Sequence, residues 1–88
     1  MRCDILGVAI DAVTLVEAER IVAGFIAAGR PHFVATANAE MVMAAGQDAE
    51  LARILAGADL VVPDGAGVVW AARRLGYAMP ERVAGFDL

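Results

Sequence analysis

The sequence predicts an α/β fold with a parallel or mostly parallel sheet and helices on its faces. Three observations carry that expectation. Short β-branched runs alternate with amphipathic stretches in the order strand, helix, strand, helix, helix, strand, helix. Thr14, Asn38 and Asp48 stand where helix starts need a side-chain cap. Gly29 and Gly57 stand where helices should stop.

Taken in order, Ile5 to Ile10 reads as a first strand closed by Asp11. Thr14-x-x-Glu17 is a capping box, in which hydroxyl and carboxylate satisfy free amides of a new helix. That helix should run to about Ala28, with Leu15, Ala18, Ile21, Val22, Phe25 and Ile26 on one face and Glu17, Arg20 and Gly24 opposite. His32 to Ala37 is a second strand, rich in β-favouring Phe33, Val34 and Thr36. Asn38 caps a helix that Gly46 should break, and Asp48 caps another with an apolar stripe of Leu51, Ile54 and Leu55. Leu60 to Val62 forms the third strand. A last helix runs from Gly65 or Ala66 to about Leu75, with Arg73 and Arg74 in the turn where cations favour the dipole. Repeats, linkers and low-complexity tracts are absent from the sequence.

Composition narrows the function classes. A chain of 88 residues is at most one domain and buries roughly two-thirds of its unfolded surface. Its 60% hydrophobic content and mean hydropathy of +0.65 are high for an independent domain of that size. Together with the apolar ending Val83-Ala84-Gly85-Phe86-Asp87-Leu88, they lead us to expect a truncated parent and self-association through uncovered apolar faces. A net charge of −4 weighs against nucleic acid, whose binding needs clustered cations. The single cysteine, Cys3, leaves no intrachain disulfide framework or cysteine-rich zinc site, so a reducing cytoplasm is expected. Arg2 and Asp4 interrupt any signal-like start, and the sequence lacks an apolar run long enough to span a bilayer.

The most informative residue is Asp64. A β-branched run, Leu60-Val61-Val62-Pro63, ends in this carboxylate and is followed by Gly65 and Gly67. In open α/β sheets ligands bind in the crevice beyond the carboxyl ends of strands, so an acid placed there is a candidate for chemistry. Asp-Gly is also an ordinary turn dipeptide, and both readings stay open on local sequence. Thr36 and Asn38 leave the second strand two residues apart, which aims both side chains to one side. If the two strands are neighbours, one crevice receives all of these groups, and amides at the helix starts after Asn38 and Gly65 favour an anionic ligand such as a phosphate. The spacing of Asp64-Gly65-Ala66-Gly67 fits neither a dinucleotide fingerprint nor a P-loop.

Other polar groups have simpler readings. His32, the one histidine, suits a surface or edge position, and carboxylates and histidine are not spaced as metal ligands. Met41 and Met43 read as core filling and Trp70 as packing. Arg82, after Pro80-Glu81, is either a solvated charge or a bidentate clamp on a phosphate. Asp4, Asp11, Asp48, Asp59 and Asp87 are best explained as caps, turns or solvated charge.

Four ordered blocks carry a resemblance. Ile5-Leu6-Gly7-Val8-Ala9-Ile10-Asp11, Thr36-Ala37-Asn38-Ala39-Glu40, Ala58 to Val69 and Glu81-Arg82-Val83-Ala84-Gly85-Phe86-Asp87-Leu88 together resemble the WecG/TagA/CpsF family of glycosyltransferases over nearly the whole chain, but only the amino-terminal part of the family domain. The resemblance implies a truncated, Rossmann-like α/β domain in residues 1–88. It implies inverting transfer of a sugar such as N-acetylmannosamine from a UDP donor to a polyprenyl-diphosphate-linked acceptor, in bacterial polysaccharide or teichoic acid synthesis. Asp64 would be the general base that takes the proton of the acceptor hydroxyl. Thr36 and Asn38 would line the donor and acceptor pocket, Arg82 would hold phosphate or sugar, and Gly65 and Gly67 would keep the nucleotide-sugar side open. No cofactor and no bound metal are implied, in keeping with the lack of an Asp-x-Asp motif. Leaving-group charge would then fall to arginines and backbone amides.

The resemblance also implies a cytoplasmic enzyme, peripheral to the inner face of the plasma membrane, docking through a carboxy-terminal part that these residues do not include. The isolated chain is expected to be inactive. Two alternatives from other classes remain at this stage: a non-catalytic nucleotide-sugar binding module, and a structural fragment that assembles through its apolar surface.

Overall fold

The chain opens with a turn that the sequence reading missed. In the computed structural model, which describes residues 2–83, Arg2–Ile5 (β1) and Val8–Asp11 (β2) pair antiparallel, with Cys3 opposite Ile10 and Ile5 opposite Val8. The strand expected over Ile5 to Ile10 is therefore a hairpin. Leu6 and Gly7 form its loop at φ 51° and 89°, a pair of positive values whose twist matches that of the flanking strands. The amide of Gly7 donates to Asp4 Oδ1 at 2.8 Å. Leucine is a rare occupant of the left-handed region, which is why Leu6-Gly7 lacks a recognisable turn signature.

Leu15–Ala28 (α1) follows with its capping box complete: Glu17 N donates to Thr14 Oγ1 and Thr14 N donates to Glu17 Oε1, each at 3.1 Å. Gly29 ends it in the left-handed conformation at φ 72°. Val34–Ala37 (β3) is shorter than expected, because the Phe33 amide turns to the Asp59 carboxylate. Ala39–Gln47 (α2) runs through Gly46, which does not break it; Asp48 takes over by accepting from the amides of Glu50 and Leu51 at the start of Ala49–Ala56 (α3). Leu60–Pro63 (β4) and Ala66–Arg74 (α4) complete the described elements.

β3 and β4 pair in parallel, Val34 opposite Leu60 and Thr36 opposite Val62, across the crossover formed by α2 and α3. All four residues of β4 are buried, as befits a strand covered on both faces. Leu60 and Val62 pack with Val13, Ala18 and Val83 under α1, whose Leu15, Ile21, Val22 and Phe25 lean on that cluster. Val61 faces the other way, into a core shared by Cys3, Ile5 and Ile10 of the hairpin with Val42, Leu55 and Val68 of the remaining helices. The α/β class thus holds, with helices on both faces of a parallel pair and the hairpin as an antiparallel addition.

Some expected core positions face solvent. Ile26 is 76% exposed at the far end of α1, and Ile54, Met43 and Trp70 are also exposed, while Met41 leans on the core. Trp70 therefore does not pack inward; Arg74 lies over its ring at 5.9 Å. His32 is half-buried, stacked on Phe25 at 4.1 Å between ring centroids. Residues 84–88, with Asp87 and most of the apolar ending, lie outside the described residues.

Candidate active site

Asp64 is the first residue past β4, and its amide donates to the carbonyl of Ala37, the last residue of β3, at 2.8 Å. The two strand ends that carry the candidate groups are therefore neighbours. Thr36 is half-buried opposite Val62. Asn38 continues the extended backbone at φ −109° and ψ 176°, so the two-residue alternation that relates Thr36 to Asn38 is kept. Asn38 Oδ1 accepts from Met41 N at 2.9 Å as the N-cap of α2. The amide nitrogen is the part of that side chain the cap does not use.

Glycine is required beside the acid. Gly65 sits at φ 122°, a conformation other residues adopt only under strain. The two loops also touch here: a Cβ on Gly65 would lie 3.9 Å from Asn38 Cβ, and one on Gly67 would lie 3.8 Å from Ala39 Cβ. Gly65 starts α4 without a side-chain cap, so first-turn amides of that helix are available to an anion in a way those of α2 are not, where Asn38 takes one.

The opposite edge of β4 brings up Arg82. Residues 60 and 64 donate their amides toward β3, whereas Val61 and Pro63 face away from it. Val61 N donates to Asp11 Oδ2 at 2.8 Å, and Pro63, which has no amide to satisfy, accepts from Val83 N at 2.7 Å through its carbonyl. Arg82 is exposed one residue before that contact. Asp64 thus stands between the Asn38 loop on one side and the Arg82 segment on the other. Thr36, Asn38, Asp64, Gly65, Gly67 and Arg82 all gather at the carboxyl end of the parallel pair.

An apolar groove of about 100 Å³ adjoins this end, lined by Ile5, Leu6, Ala39, Val42, Gly67 and Val68 among others. A second cavity, about 200 Å³ beside Phe25, Arg30, His32 and Val34, lies at the opposite end of β3. Among the described residues, histidine, cysteine and acidic side chains do not cluster as metal ligands, and no helix is long and apolar enough to cross a membrane.

The model of the glycosyl transferase WecG/TagA/CpsF family matches residues 3–88. The chain belongs to this family. Among its relatives, an N-acetylglucosaminyldiphosphoundecaprenol N-acetyl-beta-D-mannosaminyltransferase of Bacillus spizizenii is 39% identical over 56 residues, covering 64% of this chain and 22% of that protein. A protein of the same name from Staphylococcus aureus is 33% identical over 89 aligned residues, covering 99% of this chain and 35% of that protein. The chain therefore spans about a third or less of the length of these curated relatives.

Two residues of this WecG/TagA/CpsF chain escaped sequence reasoning. Arg73 appeared only as a charge at a helix end, yet its guanidinium grips the carbonyls of Met79 and Pro80 at 3.0 and 2.9 Å. Glu81 Oε2 accepts from Leu15 N at 3.2 Å, 66 residues away in the chain. No local signal announces either contact, because both partners are backbone groups brought near by the fold.

Proposed function

We propose that this chain is the amino-terminal, acid-bearing portion of an inverting glycosyltransferase domain. In this reading the full protein transfers an N-acetylmannosamine-like sugar from a UDP donor to a polyprenyl-diphosphate-linked acceptor in cell-surface polysaccharide or teichoic acid synthesis. The observation that carries it is the position of Asp64 at the end of β4, flanked by the Asn38 loop and the Arg82 segment. The names of the relatives, which act on N-acetylglucosaminyldiphosphoundecaprenol, support the acceptor class.

In the reaction, an acceptor hydroxyl attacks the anomeric carbon of the donor sugar as the bond from that carbon to the UDP oxygen breaks. Asp64 takes the hydroxyl proton, which makes an otherwise poor nucleophile competent. UDP departs with a developing negative charge. The amides opening α4 and the Arg82 guanidinium are suited to meet that charge. The half-buried Thr36 hydroxyl and the Asn38 amide nitrogen orient sugar hydroxyls, and the absence of side chains at Gly65 and Gly67 lets the ligand approach the backbone. A lipid-linked acceptor places the work at the inner face of the plasma membrane, with docking by parts of the domain other than these residues.

The deciding experiment is glycosyl transfer by the full-length protein and by Asp64→Asn, with a lipid-linked N-acetylglucosamine acceptor and UDP-N-acetylmannosamine. Turnover should fall by about 10²- to 10⁴-fold with the melting temperature unchanged. Undiminished turnover in the variant removes Asp64 from the role of base. UDP binding by calorimetry without transfer to any lipid acceptor would favour a non-catalytic binding module instead.

A further inference from the structure

Between the end of α4 and Val83 the chain has no regular secondary structure, yet it is tied down at nearly every residue. Arg73, in the last turn of α4, donates from Nε to the Met79 carbonyl at 3.0 Å and from its terminal nitrogen to the Pro80 carbonyl at 2.9 Å. Glu81 reaches the opposite layer and caps the first amide of α1, Leu15 N, at 3.2 Å. Val83 N closes onto the Pro63 carbonyl at 2.7 Å, next to Asp64. Met79 and Val83 are buried. Arg82, in the middle of this series, is exposed and makes no side-chain hydrogen bond or ion pair within the described residues.

We infer that Arg73 and Glu81 are positioning residues whose task is to hold Arg82 at the mouth of the site beside Asp64. The inference rests on the proposed reading of Arg82 as a group that contacts the donor phosphates or sugar. An unstructured loop would carry a long, rotamer-rich side chain through many placements, and ordering it at each binding event would weaken the complex. The Arg73 fork matches two successive carbonyls, a geometry that a single ammonium cannot reproduce. Because α4 begins directly after the acid loop and ends at this fork, one rigid helix links the backbone around Asp64 to the backbone that carries Arg82.

The test uses the full-length protein with Arg82→Ala, Arg73→Ala, the double variant, Glu81→Ala and Glu81→Gln, measuring kcat and KM for the UDP-sugar donor alongside thermal melts. Arg73→Ala should lower kcat/KM by about 10- to 100-fold and move the same kinetic parameter as Arg82→Ala. The double variant should be no worse than Arg82→Ala alone, since a positioning residue has nothing left to position. Glu81→Ala should be impaired and Glu81→Gln restored, because the amide oxygen still accepts from Leu15 N. Additive losses in the double variant, or a silent Arg73→Ala beside a strongly impaired Arg82→Ala, would overturn the inference while leaving the role of Arg82 intact. A silent Arg82→Ala would overturn both. Should Arg73→Ala fail to fold, the Glu81 pair decides alone: equal loss in Ala and Gln variants rejects positioning through that contact.

Discussion

At the amino ends of β3 and β4, charged side chains are committed to the backbone. Asp59 accepts from the Phe33 amide and Asp11 from the Val61 amide, both at 2.8 Å, while Arg2 bridges Asp11 and the Ala58 carbonyl. At the carboxyl ends, Asp64 joins the sheet through its own amide, and Gly65 and Gly67 follow it at the start of α4. The same residue type therefore serves architecture at one end and stands in a crevice at the other. The acids at the amino ends satisfy strand amides through their carboxylates; Asp64 lies at the carboxyl end of a parallel strand, between a neighbouring loop and an arginine segment, where open α/β sheets bind ligands.

Exchanging acids at the two ends tests that contrast most severely. Asp64→Asn should cost activity and spare stability, whereas Asp11→Ala should do the reverse. Losing Asp11 strands the part-buried Val61 amide and breaks the ion pair with Arg2, a loss of about 1–3 kcal/mol readable by chemical denaturation, with turnover per folded molecule retained. If Asp11→Ala were stable but inactive, the division between the two ends would be wrong.

Gly65→Ala sharpens the account of the carboxyl end. A methyl group there has room, its nearest neighbour being Asn38 Cβ at 3.9 Å, but φ 122° is foreign to alanine. The expected penalty is about 1–3 kcal/mol from backbone strain, with a shifted acid loop and reduced transfer. Unchanged stability would mean that the loop does not need the conformation seen here.

The smallest effect concerns Cys3 in the hairpin. Burial pushes its thiol pKa up, and Asp11 nearby adds to the rise. The neutral thiol should react slowly with alkylating reagents in the native state and rapidly in denaturant. Fast native labelling would show that the hairpin lifts away from the core.

Much of this was legible in residues 14 to 75. Thr14, Asn38 and Asp48 cap the helices they were expected to cap, and Gly29 ends α1, because capping depends on atoms three or four residues away. The hairpin was not legible, since Leu6 holds a left-handed conformation that tertiary packing of Ile5 and Val8 imposes against its preference. Nor was the exposure of Ile26, Ile54 and Trp70, which follows from where each helix runs off its sheet and not from its own periodicity.

By itself the sequence determined the helix starts, the alternation that makes an α/β fold, and the chemical types gathered in Thr36, Asn38, Asp64 and Arg82, because each of these is written in short-range spacing. Only the tertiary structure decided that β3 and β4 are neighbours, that Val83 returns to Pro63, and that Arg73 and Glu81 fasten the segment between. Those facts depend on contacts between groups tens of residues apart, mostly backbone amides and carbonyls that every residue carries alike, so no residue type could have announced them.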